Sequence, residues 1–361
     1  MKKINSLQLG CMITLIIASA TIGKGMYAVI NIAGVDSWIS VLIAGILGVV
    51  VLLMYLYIGN YEPDLPLPEK NKKLFGNVIG TIINYLLCIA IFILLVSLFY
   101  DLTNFIASQF LSQTPIFVIG FLFILIIIYI NIKGIDVISR VSLILIVICT
   151  ALFLIEVFGL LFNMDFSNLM PVMEFGIGKP LHGSLYIIML NIVPIIILLI
   201  VPKNNLVDYK KYKIVTILFY IFSILVIFLT ILLTIGNLGI DLARVYLYPE
   251  YIVLKRISIF NFVDRIENLI VLQWIFSLFI NISLCTYFIS NTINKRNNKV
   301  IIFLIAVLLL FVSTFIFKNN TIYSEYIINT SLYVKYFILF IIILIVGAIK
   351  LKRIKSKNKK I

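Results

Sequence analysis

The residues with the clearest capacity for ligand chemistry lie in an apolar stretch near the start of the chain, Thr21-Ile22-Gly23-Lys24-Gly25-Met26. Apolar residues surround it from 9 to 32, enough to cross a bilayer, since a membrane helix needs about 20 residues. Two glycines weaken a helix here, and a lysine at bilayer depth costs roughly 2.5–3.5 kcal/mol. A broken membrane helix frees backbone groups that can hold the charged ends of a small molecule. We therefore predict a binding site at this break.

The same stretch also has a purely structural interpretation. The Lys24 side chain can extend toward the membrane interface, where its ammonium group stays hydrated. The two glycines can let a neighbouring helix approach closely. The local sequence leaves both interpretations open.

A second interruption is predicted in the apolar span 184–201, which carries Asn191 and Pro194. Proline removes a backbone donor and bends a helix, so a carbonyl group near Leu190 is freed. The segment 176–180 before it, rich in glycine and proline, is predicted to be non-helical. A simple proline kink is the alternative. The interruptions fall in the first and sixth spans, a spacing that fits an inverted repeat of five helices with a site at the repeat interface.

Other polar side chains also lie at bilayer depth. Asn281 and Ser283 in the eighth span are expected to face the interior, where they join helices or touch a ligand. Glu156 in the fifth span is an intramembrane acid that can relay protons, pair with a base or lie in the outer interface.

Composition places the chain among polytopic, all-α membrane proteins. Apolar residues make up 63% of the sequence and charged residues 12%, with a mean hydropathy of +1.17, whereas soluble domains are about half apolar and a quarter charged. The sequence has one histidine, and its cysteines lack the spacing of metal-binding or redox motifs. It therefore predicts no metal site, no cofactor and no enzymatic activity. The four cysteines are expected to be core residues: Cys11, Cys88, Cys149 and Cys285.

About ten membrane spans are predicted in one polytopic domain covering residues 1–361. The predicted spans are 9–32, 37–58, 77–99, 116–132, 139–162, 184–201, 213–236, 262–290, 299–317 and 333–350. Residues 100–114 are predicted to form a short surface helix, and 351–361 a basic cytoplasmic tail.

The basic residues indicate the orientation. With the N-terminus inside, 21 of the 29 lysines and arginines fall in cytoplasmic segments, so the positive-inside rule predicts that both termini are cytoplasmic. The net charge of +14 is spread over short loops, so it reports membrane topology. Nucleic-acid binding is not predicted, and the partner of these surfaces is the lipid bilayer.

Short motifs distributed over nearly the whole chain resemble those of one known family. They are Gln8-Leu9, Gly34-Val35-Asp36-Ser37-Trp38-Ile39, Phe110-Leu111, Thr114-Pro115, Gly134 with Arg140, and Asn168-Leu169-Met170-Pro171-Val172. The most specific is Tyr248-Pro249 followed by Ile257-Ser258-Ile259, Phe262, Arg265, Glu267 and Trp274. In order and spacing they resemble the spore germination permease family, the membrane B subunits of nutrient germinant receptors.

The resemblance implies a fold and a function. The family is similar in fold to amino-acid/polyamine/organocation transporters, which have an inverted five-helix repeat with broken first and sixth helices. It implies a sensor in the inner membrane of the endospore that binds a small nutrient, typically an amino acid. The sensor would act with A and C partner subunits to start germination.

The resemblance also implies site residues. The first-helix break falls on Gly23 and Gly25, beside Thr21, and the eighth-helix polar position falls on Asn281. The broken sixth helix falls on Asn191, Val193 and Pro194, and Leu94 would line the same pocket. Lys24 departs from the small residue expected there. It can imitate a bound cation or favour an acidic or carboxylate-bearing ligand.

We expect the carboxylate of the nutrient to meet N–H groups freed near Gly23 and Gly25, at a positive half-helix end. Two other functions remain open. One is a proton-coupled amino-acid permease in which Glu156 or Lys24 titrates. The other is a structural receptor subunit that binds no ligand itself.

Overall fold

The described part of the chain is almost entirely helical. The computed structural model describes residues 4–21, 23–174, 176–256, 267–296, 298–317 and 347, and only the backbone of Lys24. The α-helices are Ser6–Ser19 (α1), Lys24–Ala33 (α2), Ser37–Asn60 (α3), Leu67–Phe75 (α4), Asn77–Gln109 (α5), Ile116–Lys133 (α6), Ile135–Leu161 (α7), Gly178–Ile187 (α8), Tyr212–Leu238 (α9), Ile240–Val245 (α10), Pro249–Arg256 (α11), Glu267–Ile293 (α12) and Asn298–Phe311 (α13).

Eight segments of the described residues are long and apolar enough to cross a membrane. They correspond to the second to ninth predicted spans, and the first of them, Gly25–Asn60, also includes nearly all of α2. The first predicted span, 9–32, is divided between α1 and α2. The tenth span, 333–350, and the basic tail 351–361 lie outside the described residues, apart from Gly347.

The helix α1 lies at the centre of the bundle, in contact with α7, α9 and α12. It begins with a capping box, in which the Asn5 side chain accepts from the backbone N–H of Leu7 at 3.2 Å and Gln8 Oε1 accepts from the backbone N–H of Asn5 at 3.0 Å. Most of its residues are buried, and they lie on all faces of the helix. This is expected for a helix that is apolar all round. The break at its end is therefore enclosed by protein.

Two boundary predictions were wrong. Residues 100–109 do not form a separate surface helix, because they continue α5, and Leu102, Thr103 and Phe105 are buried. Their mixed polarity reflects contacts with other helices. The segment predicted to be non-helical before the sixth span instead starts α8 at Gly178. Pro180 is accommodated because it lies in the first turn, where a missing N–H costs no internal hydrogen bond.

Segments distant in sequence meet at each end of the bundle. At one end, Ile4 N donates to Asn205 O at 2.9 Å, and Lys203 N donates to Pro63 O at 2.8 Å. At the other end, Asp165 N donates to Gly236 O at 3.1 Å, and Met173 N donates to Asp36 Oδ1 at 2.9 Å. The first end gathers the N-terminal segment and two of the basic loops.

Candidate functional site around the break between the first two helices

Four residues separate α1 from α2, and glycine is required in and beside this gap. Gly23, the N-cap of α2, has φ +87° and ψ −133°, a backbone conformation that disfavours side chains. A Cβ atom on Gly23 would also lie 2.5 Å from Cζ2 of Trp274. At Gly25 a Cβ atom would overlap the carbonyl oxygen of Ala20. Gly23 therefore lets the Trp274 ring, and Gly25 the Ala20 carbonyl group, lie closer to the backbone than any larger residue would permit.

On the α1 side, the last residue of the helix is held by α12. The carbonyl oxygen of Ser19 accepts a hydrogen bond from Trp274 Nε1 at 3.1 Å. The Ser19 hydroxyl accepts from Asn281 Nδ2 at 2.7 Å and donates to Ile16 O at 2.8 Å. Since the last carbonyl groups of a helix lack internal donors, these side chains supply partners at the break.

The sixth predicted span changes its helical type where it meets the break. After α8, residues Ile188–Ile192 form a π-helix and Val193–Ile200 a 3₁₀-helix with Pro194 in its first turn. Within the π-helical turn, Asn191 donates through Nδ2 to the Thr21 hydroxyl, which donates in turn to Ile17 O at 3.4 Å. A side-chain bond thus joins the two interruptions that the sequence predicts.

On the α2 side, the partner comes from the short helix α11. The backbone N–H of Gly23 donates to Glu250 Oε1. Only 2% of Glu250 is exposed, and its second oxygen, Oε2, is buried without a hydrogen-bond partner in the part of the chain that the structure describes. A carboxylate at a helix N-terminus is stabilised by the helix dipole.

Aromatic rings cover this side of the break. The ring of Phe105 lies edge-on to Tyr248 and Trp274, with centroids 4.8 Å away in both cases, and to Tyr251 at 5.5 Å. Asn104 Nδ2 donates to the hydroxyl of Tyr248 at 3.2 Å. We call Phe105, Tyr248, Tyr251 and Trp274 the aromatic cluster. It connects α5, α11 and α12 beside Gly23.

The structure brings together five of the residues predicted to bind ligand. Thr21, Gly23 and Gly25 lie at the break itself, while Asn191 and Asn281 reach it through hydrogen bonds. Three others are buried, apolar residues of the surrounding helices: Leu94, Val193 and Pro194. The side chain of Lys24 lies outside the described residues.

Sequence reasoning missed Ser19 and Glu250 as parts of this arrangement. Ser19 could have been predicted from the sequence, because it is a polar residue in an apolar run one turn before Gly23. Glu250 follows the Tyr248-Pro249 motif but lies 227 residues from its partner Gly23. Because the Gly23 N–H already has an acceptor, a ligand carboxylate can reach it only after displacing Glu250.

The intramembrane acid Glu156 has a different setting. It is 3% exposed, and its Oε1 accepts a hydrogen bond from Gln273 Nε2 at 2.5 Å. The contact joins α7 to α12 inside the bundle, so the Glu156 side chain is enclosed by protein.

Comparison with known proteins gives the family. The family model described as "Spore germination protein" matches residues 3–322, nearly the whole chain. The chain belongs to the spore germination protein family. Its residues are also 26% identical over 320 positions to Spore germination protein A2 of Bacillus subtilis (strain 168), covering 85% of this chain and 86% of that protein.

Two further members of the spore germination protein family are similar to this chain. Spore germination protein KB of Bacillus subtilis (strain 168) is 26% identical over 264 residues, which is 71% of this chain and 69% of that protein. Spore germination protein XB of Bacillus anthracis is 26% identical over 285 residues, 77% of each chain. With its apolar spanning helices, the chain is a membrane protein of this family.

Proposed function

We propose that this chain is the ligand-binding B subunit of a nutrient germinant receptor. It binds a small nutrient, an amino acid in the simplest case, and binding triggers spore germination. The observation that carries this proposal is the convergence on the α1–α2 break of side chains from α11, α12 and the segment Ile188–Ile192. The family supplies the biological setting.

The mechanism needs no covalent chemistry. A ligand shifts a conformational equilibrium only if it binds one conformer more tightly than the other. Here the hydrogen bonds of Ser19, Thr21 and Gly23 tie the break to three separate elements. A nutrient that replaces one of these bonds changes the relative stability of the helix arrangements, and a partner subunit can respond to that change.

The proposal includes a finer description of the fold. We place the site at the interface of two inverted five-helix repeats, as in transporters whose broken helices meet near the bilayer midplane. Two observations support this arrangement. The interruptions after α1 and α8 lie in the first and sixth predicted spans, and the Thr21–Asn191 bond connects them.

The setting we propose is the inner membrane of the spore, with A and C receptor subunits as partners and both termini in the cytoplasm. The names of the relatives support a role in germination. The distribution of lysine and arginine supports the orientation.

The decisive test compares two glycine substitutions. Gly23 and Gly76 both have φ +87°, but a Cβ atom meets Trp274 at Gly23 and nothing within 4 Å at Gly76. In both Gly→Ala variants, backbone strain therefore destabilises the folded protein by a similar amount, about 1–3 kcal/mol. Only Gly23→Ala also disturbs the break. We expect purified wild-type protein and Gly76→Ala to bind an amino acid from a panel saturably, and Gly23→Ala to lose that binding.

Each outcome has a definite meaning. Gly23→Ala spores that germinate normally in response to nutrient would show that the site lies elsewhere. If well-folded wild-type protein binds no member of the panel, the chain is a structural subunit. A changed ligand preference in Lys24→Ala would identify Lys24 as a selectivity residue.

A further inference from the structure

Glu250 is a charged group at the break that the sequence did not assign to the site. We propose that Glu250 binds the ammonium group of the nutrient, so that the break recognises the amine of the ligand rather than its carboxylate. This inference rests on the proposed function and specifies the chemical class of the ligand.

The carboxyl group of Glu250 occupies a position that favours negative charge. Its Oε1 accepts the N–H of Gly23, the N-cap of the ten-residue helix α2. A helix N-terminus is a ready-made site for a carboxylate, because unpaired N–H groups and the helix dipole both favour negative charge. The protein thus supplies from α11 the anion that a nutrient carboxylate would otherwise bring.

The second oxygen of the same carboxylate still needs a donor. Glu250 is 2% exposed, and Oε2 is buried with no hydrogen-bond partner in the described part of the chain. Leaving such an acceptor unsatisfied costs about 1–3 kcal/mol, and more when it is charged. An ammonium group supplies both the missing donor and the opposite charge.

Burial has a further consequence for this carboxyl group. It raises the pKa of Glu250 to about 8, while hydrogen bonds from the backbone N–H groups of Glu250 and Gly23 act in the opposite direction. A cation within hydrogen-bond distance favours the ionised form. Ligand ammonium and Glu250 carboxylate therefore stabilise each other at a place shielded from water.

The aromatic cluster suits the same ligand. Tyr248 precedes Glu250 by two residues, and Trp274 lies against Gly23. Phe105 packs against both rings in T-shaped contacts, with centroids 4.8 Å from each. Aromatic faces attract cations, so an aromatic surrounding is compatible with a bound ammonium group.

The test uses sets of three ligands that differ only in charged groups. One set is L-leucine, 3-methylbutylamine and 4-methylpentanoate; the other is L-alanine, ethylamine and propionate. Binding to purified wild-type protein in lipid nanodiscs is measured by calorimetry. We expect the amine to retain binding within about tenfold of the amino acid, and the carboxylic acid to bind at least about 100-fold more weakly.

The wild-type comparison alone can overturn the inference. If the acids bind and the amines do not, the break recognises carboxylate, and Lys24 becomes the charged residue that selects the ligand. If the amino acids bind but neither analogue does, the amine alone does not suffice for recognition and this inference fails, while the proposed function stands. If the wild type binds no compound of either set and no other amino acid of the panel, the proposed function fails together with this inference.

Substitution of the carboxylate gives an independent test. Glu250→Gln keeps an acceptor for Gly23 but removes the charge, and Glu174→Gln removes the charge of an exposed acid as a matched control. We expect at least about a tenfold loss of amine and amino-acid affinity in Glu250→Gln, and none in Glu174→Gln. Unchanged or tighter binding in a folded Glu250→Gln protein would show that Glu250 merely competes with the ligand.

Discussion

At the scale of single residues, Ser19 shows how the break is held. Its carbonyl group and its hydroxyl group both bond to α12, through Trp274 and Asn281. Inside a membrane, helix association depends on packing and on hydrogen bonds of this kind. Ser19 is 1% exposed and Asn281 is fully buried, so neither side chain has water as an alternative partner.

The Ser19–Asn281 bond should appear as an energetic coupling. In a double-mutant cycle of Ser19→Ala and Asn281→Ala, we expect a coupling free energy of about 0.6–1.7 kcal/mol, the range of hydrogen bonds between membrane helices. Unfolding in mixed micelles measures it. Pairing Asn281→Ala with Thr81→Ala is the control, because the Thr81 hydroxyl bonds within its own helix to Asn77 O. Equal coupling in both cycles would contradict the prediction.

At the scale of elements, the short helix α4 closes the end of α3. Lys70 Nζ donates to the carbonyl oxygens of Ile58 and Gly59, each at 3.2 Å. These carbonyl groups belong to the last turn of α3, where a cation is favoured by the dipole. Lys70 is only 1% exposed, and burial, followed by repulsion from Lys203, lowers its pKa to about 8.

This depressed pKa predicts a rise of stability with pH. Between the folded pKa of about 8 and the ordinary value of 10.5, the unfolded chain binds more protons than the folded protein, so the free energy of unfolding increases with pH. From pH 7 to 9.5 we expect Lys70 to add about 1–2 kcal/mol to the stability of the wild type.

The measurement compares three proteins by thermal denaturation in detergent. Lys70→Met should lose this part of the pH response, whereas Lys72→Met, at an exposed position of the same helix, should keep it. An identical pH response in the wild type and Lys70→Met would mean that the ammonium group is not buried as described.

At the scale of the whole molecule, the two ends of the bundle bring together different sets of segments. The N-terminal segment meets the loops around Pro63 and Asn205 at one end, and the lysines of these loops belong to the predicted cytoplasmic set. Asp36, Asp165 and Gly236 meet at the other end. This arrangement agrees with the sides that the positive-inside rule assigns to these segments.

Labelling of single cysteines tests that orientation. The four native cysteines are buried, so their background reaction should be low. With a membrane-impermeant maleimide on intact cells, we expect Asp241→Cys to be labelled and Lys210→Cys to react only after permeabilisation. Both positions are exposed, so accessibility to water does not separate them. The reverse pattern would invert the topology.

The sequence by itself determined the class of the protein and eight of its spans, and it predicted a break at Gly23 and Gly25. Hydropathy is a property of each residue, and a segment that spans a bilayer must satisfy its own backbone hydrogen bonds. Such segments can therefore be identified from the local sequence. The glycines at 23 and 25 are likewise local signals, since they weaken a helix wherever they occur. The same reasoning failed for residues 100–109, because polar side chains that serve helix contacts look like surface residues in a sequence.

Only the tertiary structure decided which groups meet at the break. The Gly23–Glu250 contact spans 227 residues of sequence, the Ser19–Asn281 contact 262 and the Thr21–Asn191 contact 170. No local pattern encodes such pairs, because they depend on how α1, α11 and α12 pack in three dimensions. The sequence therefore indicated a break capable of holding charge, and the packing of distant helices placed a carboxylate there.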